Sequence, residues 1–205
     1  MLINKELTTK NKKTFAFEGD SYVLNEVEEL IKQYNISTFI ETGTNEAKTT
    51  IVASGLFENV HTIELNEKFY LNCKNLLSQY ENVKIYNGSS EQIMDQILPT
   101  IDGRIMFFLD AHWNDYCPIL DELESIYKNN KKDSIIVIHD FLSPDTNLGF
   151  MKVPMHGIVD GGPPLSFEHI KEKISKIYND KFYYYYNKIS DGNPPTGLIF
   201  IIPSE

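Results

Sequence analysis

Residues 36–65 read ISTFIETGTNEAKTTIVASGLFENVHTIEL. An apolar run (36–41, ISTFIE) meets a turn at Gly43, then a segment of helical length and spacing (47–57), then a second apolar run (60–65, VHTIEL). Two strands joined through a helix pair in parallel, because a parallel pair needs a long crossover. The same alternation continues outward in both directions. A helical pattern over 21–33 precedes it, with Val23, Leu24, Val27, Leu30 and Ile31 on one face. After it come helical segments at 67–78, 90–98 and 118–129, alternating with strands at 83–86, 104–110 (RIMFFLD) and 134–140 (SIIVIHD). Strands this continuously apolar are buried on both faces, as in a parallel sheet covered by helices. Beyond Asp140 the rhythm breaks. Residues 142–165 hold Pro144, Gly149, Pro154, Gly157, Gly161, Gly162, Pro163 and Pro164. A loop of that length in a compact fold is commonly functional. A helix (166–178) and two closely spaced strands (182–187, FYYYYN; 197–202, GLIFII) close the chain, the strands as an antiparallel hairpin. The expected fold is α/β: a doubly wound seven-stranded sheet of five parallel strand–helix units plus the hairpin. One domain over 1–205 is expected, with an N-terminal arm (1–19) and the 142–165 loop as a substrate lid.

Composition narrows the class. The chain has 205 residues, 41% hydrophobic and 23% charged, which excludes wholesale disorder. No apolar run approaches the roughly 20 residues that span a bilayer, and the first twenty residues lack a secretory apolar stretch. The two cysteines, Cys73 and Cys117, form neither a disulfide framework nor a short-spaced metal pair. These features read as a soluble, cytoplasmic protein with no membrane partner. With 19 basic and 29 acidic residues the net charge is −10, which disfavours a global grip on nucleic acid.

In an open α/β sheet, ligands bind beyond the carboxyl ends of the strands. The first such end reads Glu41-Thr42-Gly43-Thr44-Asn45-Glu46-Ala47-Lys48-Thr49. A dinucleotide fingerprint needs further glycines where Asn45 and Lys48 stand, and a phosphate loop needs one where Ala47 stands. Glu41 and Glu46 would repel a polyphosphate and welcome a cation. S-adenosylmethionine is such a ligand. With its acid-then-glycine turn, Glu41-Thr42-Gly43-Thr44, the sequence resembles the class I S-adenosylmethionine-dependent methyltransferases. The second strand ends at Glu64-Leu65, about twenty residues after Gly43, where a carboxylate can accept both ribose hydroxyls. Nicotinamide dehydrogenases share that feature. The third strand ends in Gly88-Ser89-Ser90, and the resemblance implies an adenine contact there, with Ser90 equally suited to start a helix. Glu41, Gly43, Thr44, Asn45, Glu64, Leu65, Ser89, Ser90 and Asp110 are thus the expected cofactor-binding residues.

Two strand ends concentrate polar chemistry: Asp110-Ala111-His112-Trp113 and His139-Asp140-Phe141. Oxygen and imidazole groups at one mouth suit Mg²⁺ or Mn²⁺. The cluster resembles metal-dependent O-methyltransferases of the catechol and macrolide-sugar types, over about residues 41–141. It departs from the catechol pattern at Asn114 and Phe141. The resemblance implies Asp110 and Asp140 as metal ligands; because of the departure at Phe141 it does not supply the third, for which His139 is the candidate. His112 leads as general base, with His156 in reserve, and Asp110 and His139 complete the catalytic set. A site in which Asp110 only positions the ligand and no metal binds stays open. Trp113 and Tyr116 are candidate cleft walls; His61, His169 and Tyr183 to Tyr186 read as structural. The expected activity is methyl transfer from S-adenosylmethionine to a small-molecule hydroxyl, a sugar or glycoside being favoured. Self-association is left open. The alternatives are a nicotinamide-dependent oxidoreductase and a catalytically idle partner module.

Overall fold

The structure is a computed structural model that describes residues 16–112, 116–154 and 161–204. Seven strands form one sheet: β1 (Thr38–Thr42), β2 (Asn59–Glu64), β3 (Val83–Asn87), β4 (Ile105–Leu109), β5 (Ile135–Ile138), β6 (Phe182–Tyr186) and β7 (Ile199–Pro203). Among the described residues six α-helices accompany them: α1 (Ser21–Tyr34), α2 (Lys48–Ala53), α3 (Glu67–Leu77), α4 (Ser90–Ile97), α5 (Ile119–Lys128) and α6 (Phe167–Tyr178). The strand order is β3-β2-β1-β4-β5-β7-β6. The first five strands are parallel, and β7 runs antiparallel between β5 and β6. The expected sheet and hairpin are both present, with the second hairpin strand inserted next to β5.

Alternation along the central strands sorts side chains to two faces. Ile40, Phe107, Leu109, Ile136 and Ile138 pack on one face with Met94 of α4, Leu123 and Ile126 of α5 and Ile170 and Ile174 of α6. Phe39, Met106, Phe108, Ile135 and Val137 pack on the other with Val23, Val27 and Leu30 of α1 and Val52 of α2. Fully burying each such side chain stabilises the fold by about 1.5–3 kcal/mol. Asp20 caps α1, accepting from the backbone N–H groups of Tyr22 (2.9 Å) and Val23 (3.1 Å), and Asn66 caps α3 likewise. No described helix is long and apolar enough to cross a membrane.

The strand order reverses between β1 and β4, so the segments leaving them diverge and open a crevice at their carboxyl ends. There Gly43 adopts φ +85°, and an added Cβ would lie 2.7 Å from the Asp110 carbonyl oxygen. Only glycine lets the β1 turn press against the end of β4. Beyond β5, the Leu142 N–H donates to the Leu165 carbonyl (2.8 Å), closing the long loop at its base. Gly197 lies against the turn after β5: Phe141 N–H donates to its carbonyl (2.8 Å), and a Cβ there would stand 2.2 Å from the Phe141 oxygen. Gly197→Ala is therefore expected to cost at least about 2 kcal/mol of stability, read as a lower urea midpoint. An unchanged midpoint would contradict this packing.

Candidate active site

The larger cleft, about 430 Å³, lies over the ends of β1, β2, β3, β4 and β5 and is lined by Gly43, Asn45, Glu64, Leu65, Ser89, Ser90, Asp110, His112, His139 and Asp140, among others. A smaller cleft of about 320 Å³ adjoins it, reaching Glu41, Thr44 and Lys48. Every described residue expected for cofactor, metal or catalysis thus lines one of these two spaces. Trp113 and His156 lie outside the described residues. Tyr116 lines the larger cleft, as expected. No described residue of the 142–165 loop lines either cleft, although the Met151 N–H donates to the Asp140 carbonyl (2.8 Å).

Glu64 closes β2 with both oxygens at work: Oε2 accepts from the Asn45 N–H (2.9 Å) and Oε1 from the Asn66 N–H (2.8 Å). It is buried yet still borders the cleft, so its remaining lone pairs can receive hydroxyls. The Ser90 hydroxyl faces the buried Glu122 carboxyl, while the buried Ser89 hydroxyl has no hydrogen-bond partner among the described residues. Orphaned buried groups of this kind await a ligand or water.

Beneath the turn, Glu41 is buried and its Oε2 accepts from Thr50 (2.5 Å) and Thr62 (2.6 Å), while Thr44 donates to Thr62 (2.6 Å). Glu41 therefore braces the β1 turn as well as bordering the smaller cleft. Burial pushes its pKa up to about 8 despite these hydroxyls. Burial likewise lifts Glu122, on the inner face of α5, to about 7, with the nearby Ser90 and Thr42 hydroxyls pulling back. Both acids hold a proton more tightly folded than unfolded. Their contribution to stability is fully present below about pH 4.5 and is lost as pH rises through about 7 and then 8. Melting temperatures should fall across that window, and Glu41→Gln and Glu122→Gln should each flatten the fall. A wild-type profile that is level over the window would refute this.

His139 is buried at the centre of the acidic group. Its Nδ1 donates to Asp110 Oδ1 (2.8 Å) and lies 3.6 Å from Asp140 Oδ1; its Nε2 meets Thr196 Oγ1 (2.7 Å) and lies 3.8 Å from Glu18 Oε2. Burial opposes a charge on the ring, but Asp110, Asp140 and Glu18 outweigh it and lift the pKa to about 9. His112 Nε2 donates to Asp140 Oδ2 (3.1 Å), and that bond raises the His112 pKa. Burial works against ionisation of Asp140, yet the bond from His112 and the charge of His139 hold its pKa below the ordinary value. Donor atoms of Asp110, His139 and Asp140 lie within 4.8 Å of one another. This oxygen–nitrogen set fits a divalent cation once His139 Nδ1 gives up the proton it shares with Asp110; Nε2–H then donates to Thr196, as an outer hydrogen bond does for a ligating imidazole.

Sequence patterns missed two members. Thr196 comes from the segment before β7. Glu18, assigned to the N-terminal arm, lines both clefts. It sits in a short turn, Ala16–Gly19, where Phe17 (φ 50°) and Glu18 (φ 60°) are left-handed. Such non-glycine conformations cost about 1–2 kcal/mol each. Buried Phe17, edge-on to Phe108 at 5.1 Å, holds the turn in place. Neither residue carries a motif that would announce it.

No protein-family model matches the sequence, and no curated protein matches it. Solved structures do. An O-methyltransferase from Bacillus cereus in complex with S-adenosylhomocysteine matches with a TM-score of 0.61 at 16% identity, covering 87% of this chain and 79% of that one. An O-methyltransferase from Streptomyces achromogenes involved in tomaymycin synthesis, in complex with S-adenosylmethionine, matches at 0.58 and 14%, covering 88% and 78%. An rRNA methylase from Streptococcus thermophilus matches at 0.53 and 13%, covering 88% and 95%. At these identities the likeness speaks to architecture alone. The chain has the Rossmann-like fold of the class I S-adenosylmethionine-dependent methyltransferases, as the acid-then-glycine turn and the strand rhythm predict.

Proposed function

We propose that this chain is an S-adenosylmethionine-dependent O-methyltransferase acting on a small-molecule hydroxyl, with a sugar or glycoside as the favoured acceptor. It is read as a cytoplasmic enzyme, in keeping with the free cysteines Cys73 and Cys117. The observation that carries the reading is the convergence of the Gly43 turn, Glu64, Ser90 and Asp110 on one cleft at the sheet's switch point. Glu64 would take the ribose hydroxyls and the Ser89-Ser90 turn the base. The smaller, more polar cleft would take the amino-acid end. Lys48, the one lysine lining either cleft among the described residues, is paired with Glu46 (2.6 Å), so a polyphosphate would find no free cation there.

In the transfer, an acceptor oxygen attacks the methyl carbon in line. The O–C bond forms as the C–S bond breaks, and its electron pair stays on sulfur. The oxygen must lose its proton. Asp140 fixes His112 through its Nε2–H, which leaves Nδ1 of the neutral ring as the nitrogen that can accept it. The larger contribution is alignment, because holding two reactants in near-attack geometry removes most of the entropy cost. Asp110, Asp140 and His139 Nδ1 would hold a divalent cation such as Mg²⁺ or Mn²⁺, and when bound it lowers the pKa of a coordinated hydroxyl.

Calorimetry with S-adenosylhomocysteine and with NADH, followed by an acceptor screen with and without chelator, tests this. Binding of the sulfur nucleoside and methylation of a sugar or phenol support it. Turnover indifferent to chelator removes the metal alone. Binding of NADH in place of the sulfur nucleoside overturns the reading.

A further inference from the structure

We propose that Glu18 makes this cleft distinguish a charged cofactor from its neutral product, its carboxylate facing the sulfonium of S-adenosylmethionine. The inference rests on the proposed reading of the site as an S-adenosylmethionine cleft.

The two clefts share Glu18, Gly43, Asn45 and Asp110, which therefore form the neck between them. Ser89 and Ser90 both line the larger space, and the buried Ser89 hydroxyl, without a hydrogen-bond partner among the described residues, marks it as ligand-binding. A sulfur nucleoside has its nucleoside and amino-acid halves joined at the sulfur. With one half in each cleft, the sulfur lies at the neck.

Of the acids there, Glu18 is the one whose charge is least matched. Asp110 accepts from His139 at 2.8 Å, Asp140 from His112 at 3.1 Å, and Glu64 from two backbone N–H groups. The cation nearest Glu18 among the described residues is His139 Nε2, at 3.8 Å, and that nitrogen is already engaged with Thr196. The turn bearing Glu18 is anchored on both sides. Phe17 N–H donates to Thr49 Oγ1 (3.2 Å), and Asn193 N–H donates to the Glu18 carbonyl (3.0 Å). A carboxylate so held, its side chain still 39% exposed, attracts a cation at the neck with only part of that attraction screened by water. Methyl transfer turns the sulfonium into a neutral thioether, so the attraction is present before the reaction and gone after it. The spent cofactor is then held less tightly than the fresh one.

The test measures affinities of wild type and Glu18→Gln for three probes at low salt: S-adenosylmethionine, S-adenosylhomocysteine and sinefungin, in which a protonated amine stands where the sulfonium would be. Wild type should bind both cations about tenfold more tightly than S-adenosylhomocysteine. In Glu18→Gln the ratio should shrink to about threefold or less, through weaker binding of the cations with the neutral compound unchanged. Equal wild-type affinities for all three probes would overturn the inference and leave the methyltransferase reading intact, as would a Gln variant that keeps the wild-type ratio. Failure of wild type to bind any of the three would overturn the reading of the site itself. The wild-type ratio decides the matter even if the variant does not fold.

Discussion

Glu64→Ala is expected to weaken S-adenosylhomocysteine binding by about 100-fold, equivalent to roughly 2.7 kcal/mol. Two losses combine in that figure. Each charge-assisted hydrogen bond from a ribose hydroxyl to a buried carboxylate contributes about 1.5–3 kcal/mol. The same side chain also clamps the Asn45 and Asn66 N–H groups, so its removal loosens the turn that approaches the ligand and the start of α3. Glu64→Gln separates the contributions. Its amide oxygen can keep one of the two clamps, while its NH₂ cannot accept from a hydroxyl, so its affinity should fall between the other two. Calorimetry with S-adenosylhomocysteine measures all three proteins. Wild-type affinity in the alanine variant would remove the ribose assignment.

Asp140→Asn should have the complementary effect: turnover falls by about 10²–10⁴-fold while cofactor affinity changes little. Asp140 meets His112 on one oxygen and lies near His139 on the other, so it orients the candidate base and completes the candidate metal set. An amide keeps the shape and removes the charge that both tasks need. Single-turnover assays with saturating S-adenosylmethionine read the chemical step directly. Near-wild-type turnover would show that neither task belongs to Asp140.

Much of this architecture was legible from residue pattern. Strands such as 104–110 and 134–140 announce themselves because burial on both faces leaves no room for polar residues until the strand ends. Those ends then expose Asp110, His139 and Asp140 together, since β4 and β5 are neighbours. The helix expected over 47–57 is shorter, Lys48–Ala53, because the chain turns at Ser54 and Gly55 before Phe57 plugs into the core. The pairing of His112 with Asp140 was not legible, for it depends on the course of an irregular turn after β4. Glu18 and Thr196 were hidden for the same reason. Each reaches the site through tertiary closure, one by a left-handed turn ahead of α1 and the other beside the close crossing at Gly197. Local periodicity carries no trace of such closures.

The rung between Leu142 and Leu165 has an evolutionary meaning. It joins the two ends of the proline- and glycine-rich excursion, so whatever lies between them begins and finishes at one fixed doorway in the scaffold. Segments of other lengths can be exchanged there as a cassette while β5 and α6 keep their places, because closing a longer loop costs little more than closing a short one.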